Sequence, residues 1–454
     1  MQRMAKRWTG VALMCASVVV SAVTAAAPAS SRVNWVTSWA ASAQGPYPVG
    51  NPSAQPNLSR VFPSPETGAN DQSFRLIVKP EYWGSKTRLR FSNALGTQPV
   101  TFDGAFVGLQ WSGPALLPGT NRAVTFGGKR SVTVPAGASV WSDAVALSFV
   151  KPGNELRGRK LAVSFHVAGN SGPMTWHAKA LQSSYVTLPG AGAQGHVAGE
   201  EAFPYATASW YFLDALDMAA PKGVAAIVAF GDSITDGTAS TMNGDDRWPD
   251  VLARRLNASA GNTADKGGVR WVVVNQGIGG NQVVGPKEYS PQKPFPGGPS
   301  ALMRLERDVL TLSGVKAVIW LEGTNDFSKN GNAEVDAVTN GLHVGVTQIR
   351  AKLPGVKVIG ATLTSALGAK LPAHGFELQD EKRKKLNDYI RNSGVFDGVA
   401  DFDRATTDTQ TGEMKAEFVP DNTVGGPGDK LHPNRAGYQA MGMAIDLSLF
   451  KPRR

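Results

Sequence analysis

One cysteine, Cys15, is all the thiol that the 454 residues hold. A disulfide framework is thereby excluded, and so is any site built on several thiolates. Zinc-protease spacing (H-E-x-x-H) is missing, and no Cys/His cluster suggests a metal. Charge is also sparse, with 18% charged against 42% hydrophobic residues, a balance that excludes an intrinsically disordered chain. After the first thirty residues no apolar run is long enough to span a bilayer. Acids are in deficit, 36 against 46 cations, for a formal charge of +10. The densest basic run, "EKRKKLNDYIR", alternates with acids and apolar residues at helical spacing. It reads as a solvated helix face, so nucleic acid is not expected as a partner.

At the N-terminus Arg3, Lys6 and Arg7 precede an apolar stretch from Val11 to Val23 and then "TAAAPAS". A basic start, a short apolar middle and small residues predict a secretory signal peptide over residues 1–27. Cleavage is expected after Ala27, with Ala25 as the alternative. It would remove those three cations, leaving a formal charge of +7, and Cys15 with them. Met14 stands where a lipidated cysteine needs a small residue, so a lipoprotein is not expected. The product would be periplasmic or extracellular and would depend on its apolar cores rather than on disulfides.

This length predicts two domains. Over 28–220 the pattern has period two, as in "FRLIVK" (Phe74–Lys79), "TRLRFS" (Thr87–Ser92), "VTFDGAFVG" (Val100–Gly108), "VALSFV" (Val145–Val150) and "LAVSFHV" (Leu161–Val167). Short strands separated by Gly, Pro, Asn and Ser predict an all-β sandwich, jelly-roll-like in character. The stretch from Gly45 to Asn70 reads as a long irregular loop. Over 221–454 the grammar changes. "VAAIVAF", "RWVVVN", "VKAVIWL", "VKVIGAT" and "GVADF" alternate with amphipathic stretches that begin near Trp248, Ser300, Ala333, Phe376 and Asn434. Continuous apolar strands alternating with helices predict a parallel sheet covered on both faces, an α/β three-layer domain of flavodoxin-like type. Ligands of such sheets sit at the carboxyl ends of the strands.

Four segments follow strands or precede the last helix: "GDSITDG" with Ser233, "NQGIGGN" (Asn275–Asn281), "EGTND" (Glu322–Asp326) and "DKLHPNRAGY" (Asp429–Tyr438). Acyl transfer needs a nucleophile, a base, a group that orients the base, and hydrogen-bond donors for the oxyanion. Each segment offers one of these parts. Together, in this order, they resemble the SGNH/GDSL esterase–lipase superfamily from about Pro221 to Phe450. The resemblance implies Ser233 as nucleophile, Asp429 and His432 as its triad partners, and an oxyanion hole of Ser233, Gly280 and Asn325, without cofactor or metal. Asp232, Asp236 and Asp326 read as structural hydrogen-bonders. His374 is a loop histidine that could line the pocket, and Glu322 could support the site from below. His166, His177, His196 and His343 read as structural.

Rival motifs are incomplete. "GIGGNQ" has Gln282 where a dinucleotide fingerprint needs its last glycine, and Thr235 replaces the second glycine of a G-x-S-x-G elbow. "WVTSWAAS" and "EGTNDF" are similar to segments of exported xylan-esterase-like enzymes. That similarity implies an ester of an acylated carbohydrate as substrate, with acetyl as the acyl group. A lipase or a short-chain carboxyl or aryl esterase is the alternative, and a carbohydrate-binding protein on a hydrolase fold is the non-enzymatic one. Trp35, Trp39, Trp83, Trp111, Trp141, Trp176 and Trp210 could include a sugar-stacking platform, although core packing is the default for them.

Overall fold

The computed structural model describes residues 33–151, 156–259 and 268–451. The predicted signal peptide and Cys15 lie outside the described residues. From Asn34 onward the chain forms one compact unit.

Five parallel strands make the sheet that positions the site. Their spatial order is Arg270–Gly277, Val224–Gly231, Val315–Leu321, Lys357–Ala361 and Gly398–Ala400. The Val224–Gly231 strand is buried at every position, as a central parallel strand covered on both faces must be. Register brings the strand ends level: Gly231 lies opposite Gly277 on one side and Leu321 on the other. The segments after these three strands therefore leave the sheet at one height along one edge. Helices follow at Trp248–Ala258, Ala301–Leu305, Val335–Lys352, Glu377–Asn392 and Arg435–Ala444. Two of the five expected starts carry side-chain caps. Ser300 accepts a hydrogen bond from the Met303 N–H, and Asn434 accepts from those of Ala436 and Gly437.

The preceding part is all β. One antiparallel sheet runs Trp35–Ala40, Leu213–Ala219, Lys86–Ser92 and Val145–Ala146. A larger antiparallel sheet is built around Asn70–Val78, Leu161–Asn170 and Val100–Ser112. Phe91 of the first meets Phe102 and Phe165 of the second at 5.3 and 5.2 Å between ring centroids. The Trp35–Ala40 strand serves two cores at once. Trp39 packs with the β-rich core, whereas Val36 and Ala40 pack with the parallel sheet. Burying Val36 stabilises that junction by about 2 kcal/mol. Charge joins the two parts as well, since Lys79 Nζ lies 3.1 Å from Asp250 Oδ1 on the Trp248–Ala258 helix.

Three readings need correction. "VALSFV" pairs as a strand only over Val145–Ala146, because a turn closed by Val150 N–H on the Leu147 carbonyl ends the ladder. The basic helix is not solvated throughout. Lys382 and Arg383 are buried, with Lys382 on Glu334 and Arg383 on Asp380 and Asp403. The Gly45–Asn70 stretch is not wholly irregular: Gly45–Pro46 pairs with Thr175–His177 in a small third sheet completed by Trp210–Tyr211.

Candidate active site

Ser233 opens a single helical turn, Ser233–Asp236, directly after the central parallel strand. Asp232 caps the turn by accepting the Ile234 N–H at 2.9 Å. Gly277 lets that turn approach the neighbouring strand, since a Cβ there would lie 2.2 Å from the Asp236 backbone nitrogen. Asp236 in turn accepts the Gly279 N–H at 3.1 Å, tying the Ser233 turn to the "GIGGN" segment. Asp326 accepts the N–H groups of Val283 and Val284 at 2.8 and 3.0 Å and fixes the far side of the same segment. The three aspartates are thus structural hydrogen-bonders, as expected.

His432 comes from the opposite end of the chain. Its Nε2 lies 2.9 Å from Ser233 Oγ, and its Nδ1 lies 2.6 Å from Asp429 Oδ2. The other Asp429 oxygen accepts the backbone N–H groups of Leu431 and His432, both at 2.9 Å. Burial alone would raise the Asp429 pKa. The hydrogen bond and charge of His432, with those two N–H groups, outweigh it and hold the acid below its ordinary value. A carboxylate so held keeps the proton on Nδ1 and leaves Nε2 free to accept from the serine.

Donors gather on the other side of Ser233. The backbone N–H groups of Ser233 and Gly280 have no acceptor among the described residues. Asn325 Nδ2 gives one N–H to the Asn281 carbonyl at 2.9 Å, which leaves its second N–H to donate elsewhere. Gly280 adopts a φ of +81°, and a Cβ there would stand 2.8 Å from Asn51 Nδ2. Glycine is required on both counts.

The support beneath is polar and buried. Arg304 donates to Asn281 Oδ1, to the Gln276 carbonyl and to the Gly231 carbonyl, and its guanidinium lies 4.0 Å over the Phe230 ring. Glu322 accepts from Trp320 Nε1 at 2.8 Å and lies 3.7 Å from Arg304. Burial pushes Asp232 up to about 8, aided by the nearby Glu322 and Asp326 charges and opposed by the Ile234 N–H.

Ser233, Gly280, Asn325 and His432 line one cavity of about 520 Å³. His374 lines it too. Its Nδ1 accepts from Gln379 at 2.8 Å, and burial first, then the nearby His432 charge, lowers its pKa to about 4. The imidazole is therefore neutral and keeps its proton on Nε2. Leu371, Pro372 and Ala373 add an apolar wall. None of the seven tryptophans of the β-rich part reaches the cavity; Trp39, Trp176 and Trp210 are core, and Trp111 is exposed.

Sequence reasoning missed the contribution of the β-rich part. Asn51 donates to the Gly279 carbonyl at 2.8 Å and lines the cavity. Lys179, buried, also lines it and donates to Thr238 Oγ1 at 2.5 Å. His177 gives its Nδ1–H to the Ser42 carbonyl, and its Nε2 lies 3.2 Å from Asp236 Oδ1. Burial opposes the charge on His177, but Asp236 and the carbonyls of Ser42 and Lys179 prevail and raise its pKa. Nothing in "TWHAKAL" distinguishes these residues from ordinary strand and loop positions.

Residues 229–440 match the GDSL-like lipase/acylhydrolase family. No curated protein matches the chain in sequence. Among solved structures it is similar to an aryl esterase from M. smegmatis, at 20% identity over 48% of this chain and 95% of that one, with a TM-score of 0.36. A carbohydrate acetylesterase from Sinorhizobium meliloti is similar at 17% identity over 49% and 96%, with a TM-score of 0.35. A lipase/acylhydrolase from Enterococcus faecalis is similar at 24% identity over 49% and 93%, again with 0.35. All four segments that carry the hydrogen-bonded serine, its partners and its surrounding donors lie within the residues that match the GDSL-like lipase/acylhydrolase family.

Proposed function

We propose that the protein is an exported serine esterase that cleaves small acyl groups, above all acetyl, from a carbohydrate polymer. In this reading 28–220 is an accessory β-sandwich domain and 221–454 a flavodoxin-like hydrolase domain. The observation that carries it is the unbroken chain Asp429–His432–Ser233, with 2.6 and 2.9 Å links, ending in a cavity. Ser233 Oγ attacks the ester carbonyl while His432 Nε2 takes its proton. The oxyanion so formed accepts from the N–H groups of Ser233 and Gly280 and from the Asn325 amide. Losing one such donor costs about 3 kcal/mol of barrier, roughly a hundredfold in rate. His432 then protonates the leaving alkoxide, which departs as the alcohol and leaves an acyl-Ser233. Water, deprotonated by His432, attacks that acyl group, and the carboxylic acid departs as Ser233 recovers its proton.

The polar lining supports a carbohydrate alcohol: Asn51, Asn325, Asn330 and His374 offer hydrogen bonds to hydroxyl and ring oxygens. A short-chain carboxyl or aryl esterase is the second reading, favoured by the apolar wall of Leu371, Pro372, Ala373 and Leu431. Export rests on the basic and apolar N-terminal residues.

Two assays test the proposal. Hydrolysis of p-nitrophenyl acetate should fall at least 10⁴-fold, as an order of magnitude, in Ser233→Ala; undiminished turnover would refute the nucleophile. Acetate release from acetylated polysaccharide, beside an acyl-length series, tests the substrate. Preference for long chains with the polysaccharide untouched would refute the carbohydrate reading.

A further inference from the structure

We propose that Lys179 binds a carboxylate carried by the substrate next to its scissile ester, so that the enzyme prefers anionic esters to neutral ones. The proposal rests on the catalytic reading above and adds a specificity residue that lies outside the family-matched segment. Lys179 is 4% exposed and lines the cavity that contains Ser233. Its Nζ stands where a Cβ on Gly279 would be only 3.2 Å away, one residue before Gly280. An ammonium has three donors, and among the described residues its one hydrogen-bond acceptor is Thr238 Oγ1.

No carboxylate lies within ion-pair distance of Lys179 among the described residues, although Asp236, Asp429, Asp232 and Asp421 surround it at longer range. Two of these are already engaged: Asp236 faces His177, and Asp429 faces His432. His177, two residues earlier on the same segment, faces a carboxylate at close range, with Nε2 3.2 Å from Asp236 Oδ1. Lys179 does not. A buried cation without an ion partner is costly, and burial lowers the Lys179 pKa despite those aspartates; an entering carboxylate would favour the ammonium form. The cavity wall also contains Lys329 and no Asp or Glu. A carboxylate entering it would meet a charge-assisted donor in a recess where such bonds are strong.

The carboxylate can sit in either half of the ester, and two substrate pairs separate these sources. For the alcohol half, an O-acetylated methyl hexuronoside is compared with its neutral methyl ester. For the acyl half, the monosuccinyl ester of p-nitrophenol is compared with the butyryl ester. In one pair the wild-type kcat/KM should favour the charged member at least tenfold. Lys179→Met should collapse that ratio toward one through KM, and Lys179→Arg should restore part of it. Calorimetric binding of the same pairs to Ser233→Ala gives a readout that needs no change at Lys179, and the charged member should bind more tightly. Ratios near one in both wild-type pairs, or a preference unchanged in Lys179→Met, would overturn the proposal. Hydrolysis of the neutral members that depends on Ser233 would leave the catalytic reading standing in that event.

Discussion

The two parts of the molecule meet at one cavity but contribute to it in different ways. In the proposed reading the α/β part supplies the serine, its histidine and aspartate, and the oxyanion donors, each from a short segment at a strand end or before a helix. The β-rich part supplies Asn51, Lys179 and His177, which brace or line the same place from scattered positions. Reaction chemistry is thus held by the parallel sheet, whose level strand ends fix the geometry. Through Lys179, as proposed, substrate choice is shared with the neighbouring all-β layer, whose His177 also braces the Ser233 turn through Asp236.

Breaking each side should give effects of different kind and size. The largest is expected from Asp429→Asn, which keeps the shape but no longer holds the His432 tautomer. kcat should fall by about 10⁴-fold with KM little changed, measured with p-nitrophenyl acetate; a drop below tenfold would remove Asp429 from the triad.

On the β-rich side, His177→Ala should act on stability. It leaves Asp236 without its partner in a buried setting, at a cost of about 3 kcal/mol. The raised folded-state pKa of His177 sets the pH dependence. Its charge contributes fully below the unfolded value, about 6.5, and the contribution is lost as pH rises through the higher folded value. Thermal unfolding should therefore show a larger wild-type advantage at pH 5.5 than at pH 9.5; an equal gap at both would contradict a charged His177.

The smallest effect is expected from Trp111→Ala. Trp111 is 64% exposed and does not line the cavity, so unfolding free energy should change by about 0.5 kcal/mol or less and polymer hydrolysis should be unchanged. A selective loss on polymer would restore the stacking platform and sharpen the division between the two parts.

The same comparison explains what was legible in the sequence. Ser233, Gly280, Asn325, Asp429 and His432 stand in segments punctuated by Gly, Asp and Asn beside strong apolar runs, so their meeting at one place could be read. Helix starts at Trp248, Phe376 and Asn434 were equally visible, because capping and periodicity are local. Lys179 and Asn51 were not, since their role arises only when the Gly45–Pro46 and Thr175–His177 strands pair and deliver the following residues to the cavity. Lys382 and Arg383 misled for a related reason: their partners Glu334 and Asp403 are distant in sequence, so the burial that pairing allows leaves no mark on the helix itself.

Covalent trapping is the most direct test of a nucleophilic Ser233. The protein is treated with a p-nitrophenyl alkylphosphonate, the adduct is mapped by peptide mass spectrometry, and residual esterase activity is followed in parallel. A single adduct on the peptide containing Ser233, with activity lost in proportion to labelling, is the predicted result. An adduct confined to another residue, or full activity after complete labelling of Ser233, would contradict it.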